Sequence, residues 1–303
     1  MRFPASPLRL GCGFMALLAV SVLAPPEPSR AAAPLALRLS PEKVKQGGIA
    51  LVEIAAPTAG GPPALSAGGR PIPIAAGGPA GTLWRAIVGV DLEEKPGALP
   101  VRVEAADGAG RPLVGQATLV ILDGKYPVQR LTLPRSFSEL DAGTLKRVAR
   151  EKALLDALWE RVTPERFWSG RFHPPLEGAG NGTTFGLRRI INGEPRAPHS
   201  GVDYGAPAGT PVLASQGAAV AVAEEHFFGG RSVVLDHGLG LHTMYFHLQE
   251  IAVRAGQRVD QGAVIGRVGA TGRATGPHLH WGARLLGARV DPGELLKLSL
   301  DGW

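Results

Sequence analysis

The chain has almost no cysteine: Cys12 is the single one in 303 residues. No internal disulfide can form, and a metal would have to be held by nitrogen and oxygen donors rather than by a thiolate set. Charged residues make up 19%, below the usual ~25%, while 45% of the chain is apolar, which excludes wholesale disorder. Histidine is missing from the first half, and all eight lie from His173 onward, so chemistry that needs imidazole belongs to the C-terminal part. Lysine and arginine form no cluster of the kind that lines a nucleic-acid groove, so no nucleic-acid partner is expected. Beyond the N-terminus no run of about 18 apolar residues occurs, so no second membrane segment is implied.

Glycine (42) and proline (27) are plentiful instead, and they favour many turns and short strands over long helical bundles. At ~150 residues per domain the length suggests about two domains. Arg2 and Arg9 precede an uncharged run over residues 10–24, which Pro25, Pro26 and Pro28 break before Ala31, Ala32 and Ala33. A basic start, a short apolar stretch and a small-residue exit read as a secretory signal peptide over residues 1–33. The run of 15 residues is short of the ~20 that a spanning helix needs, which disfavours an uncleaved anchor. Cys12 follows Arg9 too closely for a lipidation site. Cleavage near Ala33 would leave a net charge of +4 and no cysteine. The mature protein is then expected in the periplasm or cell envelope, or secreted, with no membrane association.

Residues 35–122 read as short strands separated by turn clusters. Leu37-Arg38-Leu39 and Val101-Arg102-Val103-Glu104 alternate, and residues 49–54, 82–90 and 116–122 are apolar runs. This pattern predicts an immunoglobulin-like β-sandwich with a loop-rich stretch over 55–81. Lacking histidine and acidic clusters, it reads as a positioning or binding module, and a regulatory protein could dock on it. Residues 123–170 form a linker with a helix, capped by Ser136 with Glu139 or by Asp141. Leu145, Val148, Leu155, Leu158 and Trp159 make one apolar stripe along it, and Thr163-Pro164 predicts a further short helix. In residues 171–303 the candidate strands are 210–214, 218–223, 232–236, 241–246, 263–268 and 278–283, which predicts antiparallel β-structure.

Two short patterns stand out there. His199-Ser200-Gly201-Val202-Asp203 places a histidine and an aspartate four apart, and Pro198, Gly201 and Val202 argue against a helix. On a strand, even spacing puts both side chains on one face. His278-Leu279-His280 does the same with two imidazoles, and His247 closes the strand over 241–246. If these strands are neighbours, five polar side chains converge on one groove. A catalytic zinc needs three nitrogen or oxygen ligands and one open position. Histidine, aspartate and histidine would leave a net positive site that polarises a carbonyl and acidifies water, with two spare imidazoles to handle protons or an oxyanion. His173, His226, His237 and His242 lack such partners and read as surface or loop residues.

Phe185-Gly186-Leu187-Arg188, the run His199 to Pro207, Tyr245-Phe246-His247-Leu248 and Gly272-Arg273-Ala274-Thr275-Gly276-Pro277-His278-Leu279-His280-Trp281 together resemble the M23 zinc metallopeptidases, the lysostaphin- and LytM-like cell-wall endopeptidases. The resemblance covers residues 184–296. It implies His199, Asp203 and His280 as ligands of one Zn²⁺ and His247 and His278 as the catalytic pair, His278 as base and His247 steadying the oxyanion. It also implies hydrolysis of peptide bonds in peptidoglycan stem peptides or cross-bridges by zinc-activated water. Tyr204 and Tyr245 are candidates for a tyrosine that polarises the substrate, and residues 178–182, with Asn181 reaching the metal, or the helix ending near Arg161, for a segment that blocks the groove. The competing reading is a non-catalytic wall-binding protein or activator of other wall hydrolases; it would require a lost ligand, and none is lost. Gly256 to Gly266 resembles a biotinyl/lipoyl-type hammerhead, but the only lysine after Lys152 is Lys297, so no carrier function follows.

Overall fold

Strand alternation is the organising feature of the first half. In the strand Gly97–Ala106, Val101 and Val103 point inward while Arg102 and Glu104 point out and pair with each other at 2.8 Å. The computed structural model describes residues 33–56, 60–77, 82–132, 140–178 and 184–300. The expected signal segment, except Ala33, lies outside the described residues, as do Ser136, Glu139 and Asn181. One sheet of the first half runs Ala33–Pro34, Pro112–Leu122, Gly97–Ala106, Ala64–Ala67, Arg70–Ile72, with Lys43–Lys45 beside Pro112–Leu122. A second runs Ala36–Ser40, Ile49–Ala55, Leu83–Gly89, Ala75–Gly77. Val52, Ile54, Val88, Val101, Val103 and Leu119 are buried in one core drawn from both sheets. Three short strands fall in the stretch expected to be loop-rich.

The nine-stranded antiparallel sheet of the second half follows the order Gly201–Gly205, His278–Leu285, Leu241–Ile251, Gly230–Gly238, Ala218–His226, Arg258–Val259, with Pro211–Leu213, Val264–Val268 and Ala288–Val290 attached. Val202, Tyr204, Val233, Leu235, Tyr245, Leu279 and Trp281 are buried in one core. A three-stranded sheet that the sequence pattern did not predict joins Val128–Leu131, Arg188–Ile191 and Glu194–Pro195.

The described residues form one compact unit. Ile49 and Ile87 from the first half share a buried cluster with Leu241, Leu285, Val290 and Leu295 from the second. At its edge Asp291 N–H donates to Gly47 O at 2.7 Å, and the Arg289 guanidinium meets Asp91 at 2.6 Å and Glu93 at 2.7 Å. These direct hydrogen bonds and apolar contacts join the halves.

The helix Ala142–Trp159 starts where Asp141 accepts from the Gly143 and Thr144 N–H groups. The expected apolar stripe is buried only at its C-terminal end. Leu158 and Trp159 pack on Val234 and Met244, whereas Leu145 is 53% exposed, because the helix meets the sheet only through its last turns. The short helix expected at Thr163 does not form. Thr163 instead straps the sheet, its hydroxyl donating to Asp236 Oδ2 at 2.5 Å and its carbonyl accepting from Leu239 N–H at 2.7 Å. No described helix is long and apolar enough to cross a membrane.

Candidate metal centre and active site

Three neighbouring strands bring the predicted groups together. Asp203 stands opposite His280, which stands opposite Phe246, and Gly205 stands opposite His278. Alternation sends Val202, Tyr204, Leu279 and Trp281 into the core and leaves Asp203, His278 and His280 together on the opposite face. His199 precedes its strand and is held by the Phe185–Arg188 segment: its N–H donates to Leu187 O at 3.0 Å and its carbonyl accepts from Gly186 N–H at 2.8 Å. Gly201 must be glycine, since a Cβ there would lie 2.7 Å from His280 Nε2 and 2.6 Å from Trp281 O.

The donor atoms form a tight triangle. His199 Nε2 lies 3.0 Å from His280 Nδ1 and 3.1 Å from Asp203 Oδ1, and His280 Nδ1 lies 3.0 Å from Asp203 Oδ1. Thr184 fixes two of the three. Its carbonyl accepts from His199 Nδ1–H at 2.9 Å, which leaves Nε2 as a lone pair aimed at the triangle, and its hydroxyl oxygen accepts from Asp203 N–H at 2.8 Å. Burial by itself raises the Asp203 carboxyl, but the His199 and His280 rings beside it hold it well below the usual carboxylate range. Burial lowers His280, which favours its neutral form. Two ring nitrogens and one carboxylate oxygen thus crowd onto one point, and a cation bound there would resolve that crowding. The separations approach the about 3.3 Å edge of a tetrahedron with 2.0–2.1 Å bonds, so the set fits a divalent ion such as zinc. Among the described residues this is the one cluster of metal-ligating side chains.

His247 reaches the same face through a β-bulge. Arg231 pairs with Leu248 and Val233 with Tyr245, so Phe246 and His247 together oppose Ser232. His247 takes the left-handed φ of 65°, which cancels the alternation that would have sent it into the core. Phe246 stacks on His280 at 5.5 Å and 10°, and the His247 and His278 rings lie 4.7 Å apart. His247 Nδ1–H donates to Thr271 O at 2.9 Å and His278 Nδ1–H to Gly276 O at 2.8 Å. In each ring Nε2 is the nitrogen left for the site, an acceptor when the ring is neutral. Burial lowers His247 to about 4, with His278 adding to the effect.

Other expectations need correction. Tyr245 does not face the groove; it is fully buried, its hydroxyl bonded to Ser215 and Thr243. Tyr204 is also in the core, 6.3 Å from Trp281. His173 is exposed as expected, but His226, His237 and His242 are buried. His237 lies beneath Phe172, with Nδ1–H donating to Gly217 O at 2.8 Å and Nε2 2.7 Å from Thr243 Oγ1. His242 lies beneath Trp159, and His226 is 3.2 Å from Glu224. Trp159 from the linker and Phe172 just beyond it cover His242 and His237, and strand patterning within the sheet carries no sign of that cover. Thr184 was not anticipated either; only its place beside the Phe185–Arg188 segment pointed to it.

A histidine–aspartate–histidine triangle with two further imidazoles, set on one face of an antiparallel sheet, defines a metallopeptidase-type site. The profile of Peptidase family M23 matches residues 197–292, which include all five groups. The crystal structure of an M23-type protein from Pseudomonas aeruginosa is 32% identical, with a TM-score of 0.61 over 83% of this chain and 94% of that one. The chain belongs to peptidase family M23. It is also similar to the peptidoglycan DD-endopeptidase ShyA of Vibrio cholerae serotype O1, 47% identical over 85 residues, 28% of this chain and 20% of that protein. The DD-carboxypeptidase/endopeptidase Mpg of Neisseria meningitidis serogroup B is 45% identical over 94 residues, 31% of this chain and 22% of that protein. The chain spans about a fifth of the length of these two curated relatives.

Proposed function

We propose that the protein is a zinc-dependent endopeptidase that hydrolyses peptide cross-links of bacterial peptidoglycan in the cell envelope, after export by its N-terminal segment. The single observation that carries this reading is the triangle of donor atoms, 3.0–3.1 Å apart, beside two imidazoles whose Nε2 atoms are free to accept. His199 Nε2, Asp203 Oδ1 and His280 Nδ1 would hold the ion. Zinc held there supplies a Lewis acid that polarises a peptide carbonyl and makes water nucleophilic near neutral pH.

The chain's own groups do the rest. Thr184 orients His199 and Asp203, and Phe246 braces the His280 ring. His278 Nε2 takes the proton of the attacking water and returns it to the departing amine. His247 can donate to the oxyanion only when Nε2 carries a proton, which burial opposes in the resting site. A bound carbonyl oxygen beside Nε2 favours uptake of a proton there from solvent, and the ring then donates it in a hydrogen bond to the oxyanion.

Purified sacculi digested with the mature chain, with and without a chelator, test this reading by mass spectrometry of the released muropeptides. Fragments cut at peptide cross-links, lost on chelation, are expected. Intact cross-links, or release only when another wall hydrolase is present, would favour the non-catalytic activator instead.

A further inference from the structure

Between the two carbonyls that anchor the paired imidazoles, Thr271 O and Gly276 O, the chain makes a loop that carries Arg273. The Arg273 N–H donates to Phe228 O at 3.0 Å, and its guanidinium carbon lies 4.4 Å from the Phe228 ring centre. Gly272, at φ +69°, lets the loop pass this close, because a Cβ there would lie 2.2 Å from Gly230 N. The same turn holds His247, whose N–H donates to Gly229 O at 2.7 Å. Arg273 is thus fixed by backbone, glycine and ring contact on the loop whose carbonyls anchor both imidazoles.

Two more arginines lie near enough for their charge to act on it. Arg189 and Arg196 sit opposite each other in the Arg188–Ile191 and Glu194–Pro195 hairpin, Arg196 N–H donating to Arg189 O at 2.9 Å, and that hairpin leads directly into His199. Burial lowers the Arg273 guanidinium, and the like charges of Arg196 and Arg189 add to it. Glu194 pairs with Arg196 at 2.9 Å, but among the described residues no carboxylate pairs with Arg273 or Arg189. Three arginines on the loop and hairpin that flank the site, with a single carboxylate paired to one of them, make a field that attracts an anion. Arginine meets a carboxylate through two parallel N–H bonds, which gives geometric selectivity as well as charge.

We propose that Arg273, with Arg189 and Arg196 beside it, binds a free carboxylate of the peptide being cut, and so makes the enzyme prefer cross-linked stem peptides that carry a free acid near the scissile bond over their amidated counterparts. This rests on the peptide-hydrolysis reading above. Arg273 is a specificity residue here, and the zinc ligands and the paired imidazoles keep their roles.

The test uses two synthetic cross-linked stem peptides that differ only in a free carboxylate or a primary amide on the residue beside the scissile bond. With the zinc-loaded protein, kcat/KM is expected to favour the acid by about tenfold, the size of a charge-assisted hydrogen bond weakened by solvent exposure. Arg273→Gln is expected to remove that preference by slowing the acid alone, and Arg273→Lys to restore part of it. Equal losses on both peptides, or an unchanged ratio, would overturn the proposal. Binding of the same peptides to His278→Ala protein, read by fluorescence anisotropy, needs no turnover and should show the same preference, lost on adding Arg273→Gln. If the loaded protein cleaves neither peptide while binding still prefers the acid, the hydrolytic reading fails and the carboxylate site stands. If it cleaves both equally and binding shows no preference, the carboxylate site fails and the hydrolytic reading stands.

Discussion

His237 makes the folded protein sensitive to mild acid. It is fully buried, bonded at Nδ1 to Gly217 O and at Nε2 to Thr243 Oγ1, and burial, with the neighbouring His242 adding to it, lowers it from 6.5 to about 4. Above pH 6.5 the ring is neutral in both the folded and the unfolded chain. As pH falls from 6.5 toward 4 the unfolded chain takes up a proton that the folded one refuses, so stability is lost through that window. At ~1.4 kcal/mol per pH unit the loss reaches about 3 kcal/mol. His237→Gln cannot titrate. It should be less stable than the wild type at neutral pH, through disturbed hydrogen bonds, and that deficit should shrink by about 3 kcal/mol by pH 4. Urea unfolding of both proteins across the window, with metal chelated in both, reads the difference directly. The other titratable groups are common to both proteins and cancel. A deficit that stays constant with pH would refute the reasoning.

His199→Ala or Asp203→Ala should abolish metal retention, measured by elemental analysis after gel filtration, together with activity. His247→Ala or His278→Ala should retain metal and lose about 10²–10⁴-fold in turnover; an emptied site in His278→Ala would mean that the ligand set is misassigned. Arg289→Ala breaks its pairing with Asp91 and Glu93, partly exposed at 19% on the arginine side, and should lower stability by about 1–2 kcal/mol in thermal or urea unfolding. Ile49→Ala opens a cavity in the cluster shared by the two halves and should cost about 2–5 kcal/mol, with wild-type metal content if the site's strands hold their register.

Period-two patterning located the strands of the metal centre, since Val202, Tyr204, Leu279 and Trp281 alternate with Asp203, His278 and His280. It could not place His247, because a register shift opposite Ser232 overrides the alternation, and no residue type announces that bulge. Two of the three buried histidines were misread for a related reason: Trp159 from the linker covers His242, and Phe172 just beyond it covers His237. The helix stripe was legible as a pattern, yet only its last turns found a surface to cover. Weak strands such as Arg188–Ile191 gain their pairing from Val128–Leu131, more than fifty residues earlier in the chain.

What the sequence determined by itself was therefore the chemistry and its local direction. Residue types and even spacing put aspartate and imidazoles on one side of their strands, because the pleat leaves no other choice. What the tertiary structure decided was convergence. The pairing of Gly201–Gly205 and Leu241–Ile251 on either side of His278–Leu285 closes the donor triangle, and the Thr184, Thr271 and Gly276 carbonyls choose which ring nitrogen carries each proton. Those partners are distant in sequence or lie on irregular loops, where no periodic pattern records them, and only the folded chain brings them within a hydrogen bond's length.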